Sequence, residues 1–359
     1  MASPLEKTAY LLHLAQKHRI SVELLNQVLM GEDNLPCEQR LDILSDVVSE
    51  EDEMFFSVIW KGNTFPYAIK NVPYSDFVGR VVDGLNLTLH GSGYRSQLFF
   101  ANTRIADEAF FQQIIRNRHA CGIVNIISNN IQNLQKVCND FQRPYLLINR
   151  PNDADTTNAY YFSMNSREAT KDVVRHLYGL GHRRIANIHG FLSQQTGYNR
   201  LTAYQEIMCE KGILDAAYVI GANWQEAGGY HAAQQLLANP IPPTAIIAAN
   251  DRMAIGALQA IQEKGLRIPQ DISLVGYDDL SIALTAEPKL STVRLPMTSI
   301  GQEAAHYILA LLHGLHPEPR QRLFPVELII RESTGPAPSD PGKKNPETNL
   351  KQVQPILEL

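Results

Sequence analysis

Short apolar runs alternate with amphipathic segments along most of this chain. The clearest instance lies between Pro243 and Leu280. Ala245–Ala249 is an Ile-rich run of the kind that forms a strand buried on both faces. It stops at Asn250-Asp251, residues whose side chains accept from the orphan N–H groups of a helix start. From Met253 the apolar positions Ile255, Leu258 and Ile261 recur at helical spacing, and Gly265 stands where a helix-ending glycine belongs. A proline turn, the strand Ile272–Gly276 and a polar cluster Tyr277-Asp278-Asp279 follow. Strand, helix and strand in this order predict a parallel pair. Both polar clusters then lie at the carboxyl ends of neighbouring strands, where open α/β sheets bind ligands.

The same alternation runs from Met54 onward. Strands are predicted at Phe55–Ile59, Gln97–Ala101, Gly122–Ile127, Tyr145–Ile148, Ile185–Ile188 and Tyr218–Ile220. Helices are predicted at Tyr74–Leu89, Ala106–Arg118, Ile131–Phe141, Leu201–Lys211 and Gly228–Leu237, with another around Val173–Leu180 closed by Gly181. Residues 61–72 read as a long irregular loop. Some ten strands exceed one compact domain of usual size, so two lobes are expected, each a doubly wound parallel sheet. Ahead of them, residues 5–48 read as three short helices, the second capped by Ser21 and carrying Val22, Leu25, Val28 and Leu29 up to Gly31. That is a helix-turn-helix arrangement, or else a packing module of the same shape. Pro336–Leu359, with five prolines, reads as a disordered tail.

Composition adds an ordinary globular protein, 44% hydrophobic and 19% charged over 359 residues, with net charge −5. The four cysteines (Cys37, Cys121, Cys138, Cys209) are too dispersed for a C-x-x-C site and fit reduced, partly buried thiols. No signal peptide or membrane-spanning stretch is visible, so a cytoplasmic address is expected. Charge changes the picture most in the head. Residues 1–53 carry four basic against eleven acidic side chains, net −7, with the run Glu50–Glu53 at the end. DNA readers gain much of their affinity by neutralising phosphates with Lys and Arg, so this field has the wrong sign.

A search for catalysis finds no phosphate loop, no H-E-x-x-H and no G-x-S-x-G, and His90-Gly91-Ser92-Gly93 lacks the third glycine of a dinucleotide fingerprint. An enzyme is not expected, nor any cofactor or metal. His182 is expected to make local hydrogen bonds at a helix end. What converges is a set of polar groups at strand ends: Asn149, Asn250 and Asp278, with Arg200 opening a helix and Trp224 offering an apolar face. A carboxylate accepts two hydroxyls, a guanidinium donates as a planar fork and a carboxamide does both. Such a set suits a polyhydroxylated ligand. Each residue alone also has a structural reading: Asn250 a cap, Asp278 a turn, Arg200 an ion pair, Trp224 core.

Five strings in order resemble the lactose/galactose repressor (LacI/GalR) family of bacterial transcription regulators. They are Gly181-His182-Arg183-Arg184-Ile185-Ala186; Arg200 before Ala203-Tyr204; Ala249-Asn250-Asp251-Arg252-Met253-Ala254-Ile255-Gly256-Ala257; Val275-Gly276-Tyr277-Asp278-Asp279; and Arg331-Glu332-Ser333-Thr334. The resemblance covers roughly residues 54–334. It implies an α/β, two-lobed core like periplasmic binding proteins, made of two doubly wound parallel sheets and preceded by a small all-α helix-turn-helix-like domain. The domains expected are a head over 1–53, a core over 54–334 and a tail over 335–359. The first lobe would comprise 54–164 with 295–323, the second 165–294 with 324–334, joined by three crossovers. It further implies a homodimer that binds a small effector, a sugar, between the lobes and operator DNA with its head.

By that likeness Tyr74, Asn149, Arg200, Trp224, Asn250 and Asp278 match effector-contact positions. Ser21, Val22, Glu23, Asn26 and Gln27 match DNA-contact positions, Val22 and Glu23 standing where bases are read. The chain departs from the family pattern at Leu24, Asn26, Gln27 and Met30, and Ser49–Glu53 replaces the usual hinge helix. These departures and the acidic head keep a second reading open: an effector sensor that has lost direct DNA binding and acts through a protein partner.

Overall fold

The computed structural model describes residues 15–30, 54–61, 76–101, 108–117, 120–126, 131–149 and 159–338. The first helix expected in the head before Ala15, the third helix, the 61–72 loop beyond Lys61, Ser49–Glu53, Cys37 and Tyr74 fall outside these residues, while residues 15–17 are helical where the first helix is expected to end. In the head, α1 (Val22–Met30) is present, and Ser21 caps it by accepting from the Leu24 N–H at 3.0 Å. Leu25 is fully buried, while Glu23 and Gln27 are exposed on the same helix.

The chain divides into two compact units, residues 1–165 with 295–326 and residues 166–294 with 327–359. It therefore passes from one to the other three times. The first unit runs β1 (Met54–Lys61), α2 (Asp76–Leu89), β2 (Tyr94–Ala101), α3 (Glu108–Arg116), β3 (Ala120–Ile126), α4 (Ile131–Asp140), β4 (Tyr145–Ile148) and β5 (Tyr161–Met164). It regains α10 (Met297–Leu312) and β11 (Gln321–Phe324) from the later chain. Its sheet is wholly parallel, in the order β11-β5-β4-β3-β1-β2. β3 is buried at every position, as a central strand covered on both faces must be. The alternation of pattern had not marked β5 or β11, four residues each, because strands that short carry too little periodicity to stand out.

The second unit runs α5 (Ser166–Gly179), β6 (Ile185–His189), α6 (Gln195–Glu210), β7 (Val219–Gly221), α7 (Glu226–Leu237), β8 (Ala245–Ala248), α8 (Asp251–Glu263), β9 (Ser273–Val275), α9 (Ser281–Thr285), β10 (Thr292–Arg294) and β12 (Glu327–Ile329). The four-stranded parallel sheet has the order β7-β6-β8-β9, and β10 pairs antiparallel with β12 beside it. β8 and β9 are the predicted parallel pair, with Ala245 opposite Ser273. Asn250 caps α8, its Oδ1 accepting from the Met253 N–H at 2.9 Å, and Gly265 closes the helix with a left-handed φ of 74°. Packing on this helix differs from the expected pattern. Ile255 is half-buried, while Ala254, Gly256 and Ala257 are buried. A Cβ on Gly256 would lie 1.9 Å from the Glu226 carbonyl, so small residues let α7 and α8 approach closely.

Three expectations need correction. Arg200 lies in the second turn of α6, not at its start, because the helix begins at Gln195. Residues 335–338 are not part of a free tail: the Gly335 N–H donates to Ser273 Oγ at 3.1 Å and the Ala337 N–H to the Leu180 carbonyl at 2.8 Å. His182 is not a local helix-end residue. It is fully buried, its Nδ1 3.0 Å from Thr244 Oγ1 and its Nε2 3.0 Å from Ser273 Oγ and 3.1 Å from the Gly335 carbonyl. It thereby ties β6, β8, β9 and the last segment together. Burial holds its pKa below the usual imidazole range, only partly countered by the Gly335 carbonyl, with His176 and Arg183 adding to the lowering. Cys121 and Cys138 are buried as expected and, like the exposed Cys209, form no disulfide. Among the described residues no helix is long and apolar enough to cross a membrane.

Candidate functional site

The sheet order β7-β6-β8-β9 reverses direction between β6 and β8, which makes that junction a topological switch point. Every strand of this sheet contributes to its carboxyl rim. Gly190 and α6 with Arg200 follow β6, Trp224 follows β7, Asn250 follows β8 and Asp278 follows β9. Four of the six expected effector residues therefore share one rim for a topological reason.

Arg200 is the centre of this group and is 4% exposed. Its guanidinium lies flat over the Tyr277 ring, 3.4 Å from the centroid, and the Trp224 ring centroid is 6.0 Å away. Its Nη1 donates to the Ala249 carbonyl, and its Nη2 lies 3.4 Å from Asp278 Oδ1. Arg200 Nε is buried with no partner. A buried charged donor left unpaired is costly, so this edge of the fork is suited to an acceptor brought by a ligand.

Trp224 stands on a left-handed residue, φ 65°, and its six-membered ring presses on Gly190. A Cβ at Gly190 would lie 2.2 Å from both Cε2 and Cζ2 of the indole. Trp224 Nε1 is likewise buried and without a partner. Asn250 serves two loops at once: beyond capping α8, its Nδ2 donates to the Trp224 carbonyl at 3.0 Å. The cap reading and the binding reading of Asn250 thus coincide in one side chain. Asp278 has φ 106°, a conformation that costs on the order of 1–3 kcal/mol in a non-glycine residue and persists only where its surroundings over-determine it. Its N–H donates to the Val293 carbonyl at 2.8 Å.

Sequence reasoning missed the residues that hold this group. Tyr277, fully buried, is the shelf for Arg200, and its hydroxyl donates to the Ser166 carbonyl at 3.4 Å. Asp251, fully buried, accepts from the Leu280 N–H at 2.7 Å and the Thr292 hydroxyl at 2.6 Å. Burial, reinforced by the neighbouring Asp278 charge, pushes the Asp251 carboxyl well above its usual range. Asp279 accepts from Arg294 Nε at 2.7 Å and Arg331 Nη2 at 2.5 Å. Burial alone would raise the Asp279 carboxyl; the two guanidiniums outweigh it and hold it below the usual carboxylate range. Gly276 packs directly on Asp251: a Cβ there would meet Asp251 Oδ1 at 2.2 Å.

The remaining expected residues lie elsewhere. Asn149 belongs to the first unit, at the carboxyl end of β4, with φ 67° and its N–H donating to the Phe162 carbonyl at 2.9 Å. In the head, Ser21, Glu23 and Gln27 are exposed and Val22 is half-buried; the side chain of Asn26 is not among those described. Among the described residues no group of three or more His, Cys, Asp or Glu is placed to hold a metal ion.

Comparison with known proteins agrees with this fold. Residues 174–334 match the periplasmic binding protein-like domain family. The chain is 37% identical over 171 residues to the HTH-type transcriptional repressor CytR of Escherichia coli strain K12, covering 47% of this chain and 50% of that protein. It spans about half the length of the curated relatives it matches. Among solved structures, a LacI-family regulatory protein from Chloroflexus aggregans superposes with TM-score 0.69 at 25% identity, covering 78% of this chain and 98% of that one. The complex of the transcriptional regulator CelR with cellobiose superposes with TM-score 0.70 at 23% identity, covering 90% and 99%.

Proposed function

We propose that the chain is a LacI/GalR-family transcription regulator that takes a small polyhydroxylated effector, a sugar, at the carboxyl rim of its second unit. The observation that carries this reading is the buried Arg200, stacked on Tyr277 and paired with Asp278, whose Nε is left without a partner. Ligand hydroxyls would accept from the Arg200 fork and donate to Asp278, while Trp224 lies against their C–H faces. Cellobiose in the CelR complex is a ligand of this chemical class.

Effector binding then changes operator recognition by the head, where Ser21, Val22, Glu23, Asn26 and Gln27 would face DNA. By linkage it can do so only through different affinity for two states of a homodimer. The test is a thermal-shift panel of sugars and nucleobases on the purified chain. Sugars are expected to raise the melting temperature of the wild type in a concentration-dependent way and to leave Arg200→Ala unmoved. Equal shifts in both proteins would place binding elsewhere.

A further inference from the structure

Two pairs of neighbours stand on the rim, Asn250-Asp251 and Asp278-Asp279. In each, one member belongs to the candidate effector group and the other faces away into a polar network. That network holds the strands by which the chain leaves and re-enters the second unit. Arg294 is the last residue before one crossover, and Glu327 the first after the return. Asp279 accepts from Arg294 Nε at 2.7 Å and from Arg331 Nη2 at 2.5 Å, while Arg294 Nη1 also reaches Glu327 Oε2 at 3.3 Å. The Asp278 N–H donates to Val293 at 2.8 Å, and the Asp279 N–H to Thr292 Oγ1 at 3.3 Å. Thr292 Oγ1 in turn donates to Asp251 at 2.6 Å.

Asp278 and Asp279 are both left-handed, with φ 106° and 53°. Two successive non-glycine residues in this region form a stiff, strained link, since few other backbone states keep both carboxylates on their partners. We propose that Asp279 is a positioning residue that fixes Asp278 at the effector site while clamping β10 and β12, so that contact made at Asp278 is felt at both crossover strands. Effector binding at Asp278 rests on the function proposed above; the clamp itself is tested without any effector.

The experiment is hydrogen exchange, read by mass spectrometry, on the full chain and on Asp278→Asn, Asp279→Asn, the double variant and Asp279→Glu. Asp271→Asn, which breaks the surface pair with Arg267 at 2.9 Å, is the control. Asp279→Asn is expected to speed exchange in peptides covering 289–295 and 327–334 by about tenfold or more, as loss of charge-assisted hydrogen bonds does to a local opening. Asp279→Glu should restore part of the protection, and β6 should be unchanged. Asp278→Asn is expected to speed the same two peptides by a smaller factor. The double variant should fall short of the product of the singles, because coupled sites are not additive.

No change in either peptide for Asp279→Asn overturns the clamp. Multiplicative singles, or an Asp278→Asn variant silent in both peptides, overturn the coupling. If Asp279→Asn exchanges faster throughout, it has unfolded, and Arg331→Gln then takes its place under the same criteria.

Discussion

Replacing Gly190 by alanine should dislodge Trp224. The added Cβ would sit 2.2 Å from two indole carbons, Cε2 and Cζ2. Carbon atoms pack at about 3.5–4.0 Å, so the ring must move by roughly 1.3–1.8 Å. The indole cannot yield as a flexible chain end would, because its backbone is left-handed at φ 65° and its carbonyl is held by Asn250 Nδ2 at 3.0 Å. Overpacking of this kind costs about 1–3 kcal/mol, and weakening the Asn250 bond would add about 0.5–1.5 kcal/mol. The chain has two tryptophans, so a Trp60→Phe background leaves Trp224 as the sole emitter. Buried Nε1 would then meet water. Gly190→Ala should red-shift the emission, raise quenching by acrylamide and lower stability to urea by about 1.5–4.5 kcal/mol. An unchanged spectrum with unchanged stability would show that the indole does not rest on Gly190.

Three further outcomes are expected. His182 has a folded-state pKa below its unfolded value, so its contribution to stability is fully present above about pH 6.5 and is lost as the pH falls below it. Urea midpoints of wild type and His182→Gln between pH 7.5 and 5.5 should show a shallower pH dependence in the variant, and parallel curves would refute this. Binding of the full chain to its own upstream DNA should carry a shallow salt slope, at roughly 0.9 per phosphate contact, because the head is net −7. A steep slope with tight binding would contradict the charge argument. Sedimentation of a chain truncated after Pro338 should still give a dimer, and a monomer would show that residues 339–359 take part in assembly.

How far the sequence could be read depended on how local each signal was. The unit from β8 to β9 was legible because Asn250, the apolar spacing and Gly265 act within one helix length. Arg200, Trp224, Asn250 and Asp278 were legible as candidates because each follows a recognisable strand. Their supports were not. Asp279 meets Arg331 across 52 positions, and His182 meets Gly335 across 153, distances at which no spacing rule operates. β10 and β12 are three residues each, too short for a period to show. The roles of Gly190 and Gly276 lie in side chains that would collide, which only packing displays.

Calorimetric titration with the panel sugar that gives the largest thermal shift, on wild type and Asp278→Ala, tests the effector site most directly. Removing a charged acceptor from ligand hydroxyls should cost about 1.5–3 kcal/mol, or roughly ten- to more than a hundredfold in affinity. The melting temperature without ligand serves as the check that the variant is folded. Binding of the sugar to wild type with that loss in Asp278→Ala is the expected result. Equal affinity in the two folded proteins would contradict the assignment of the effector to this rim.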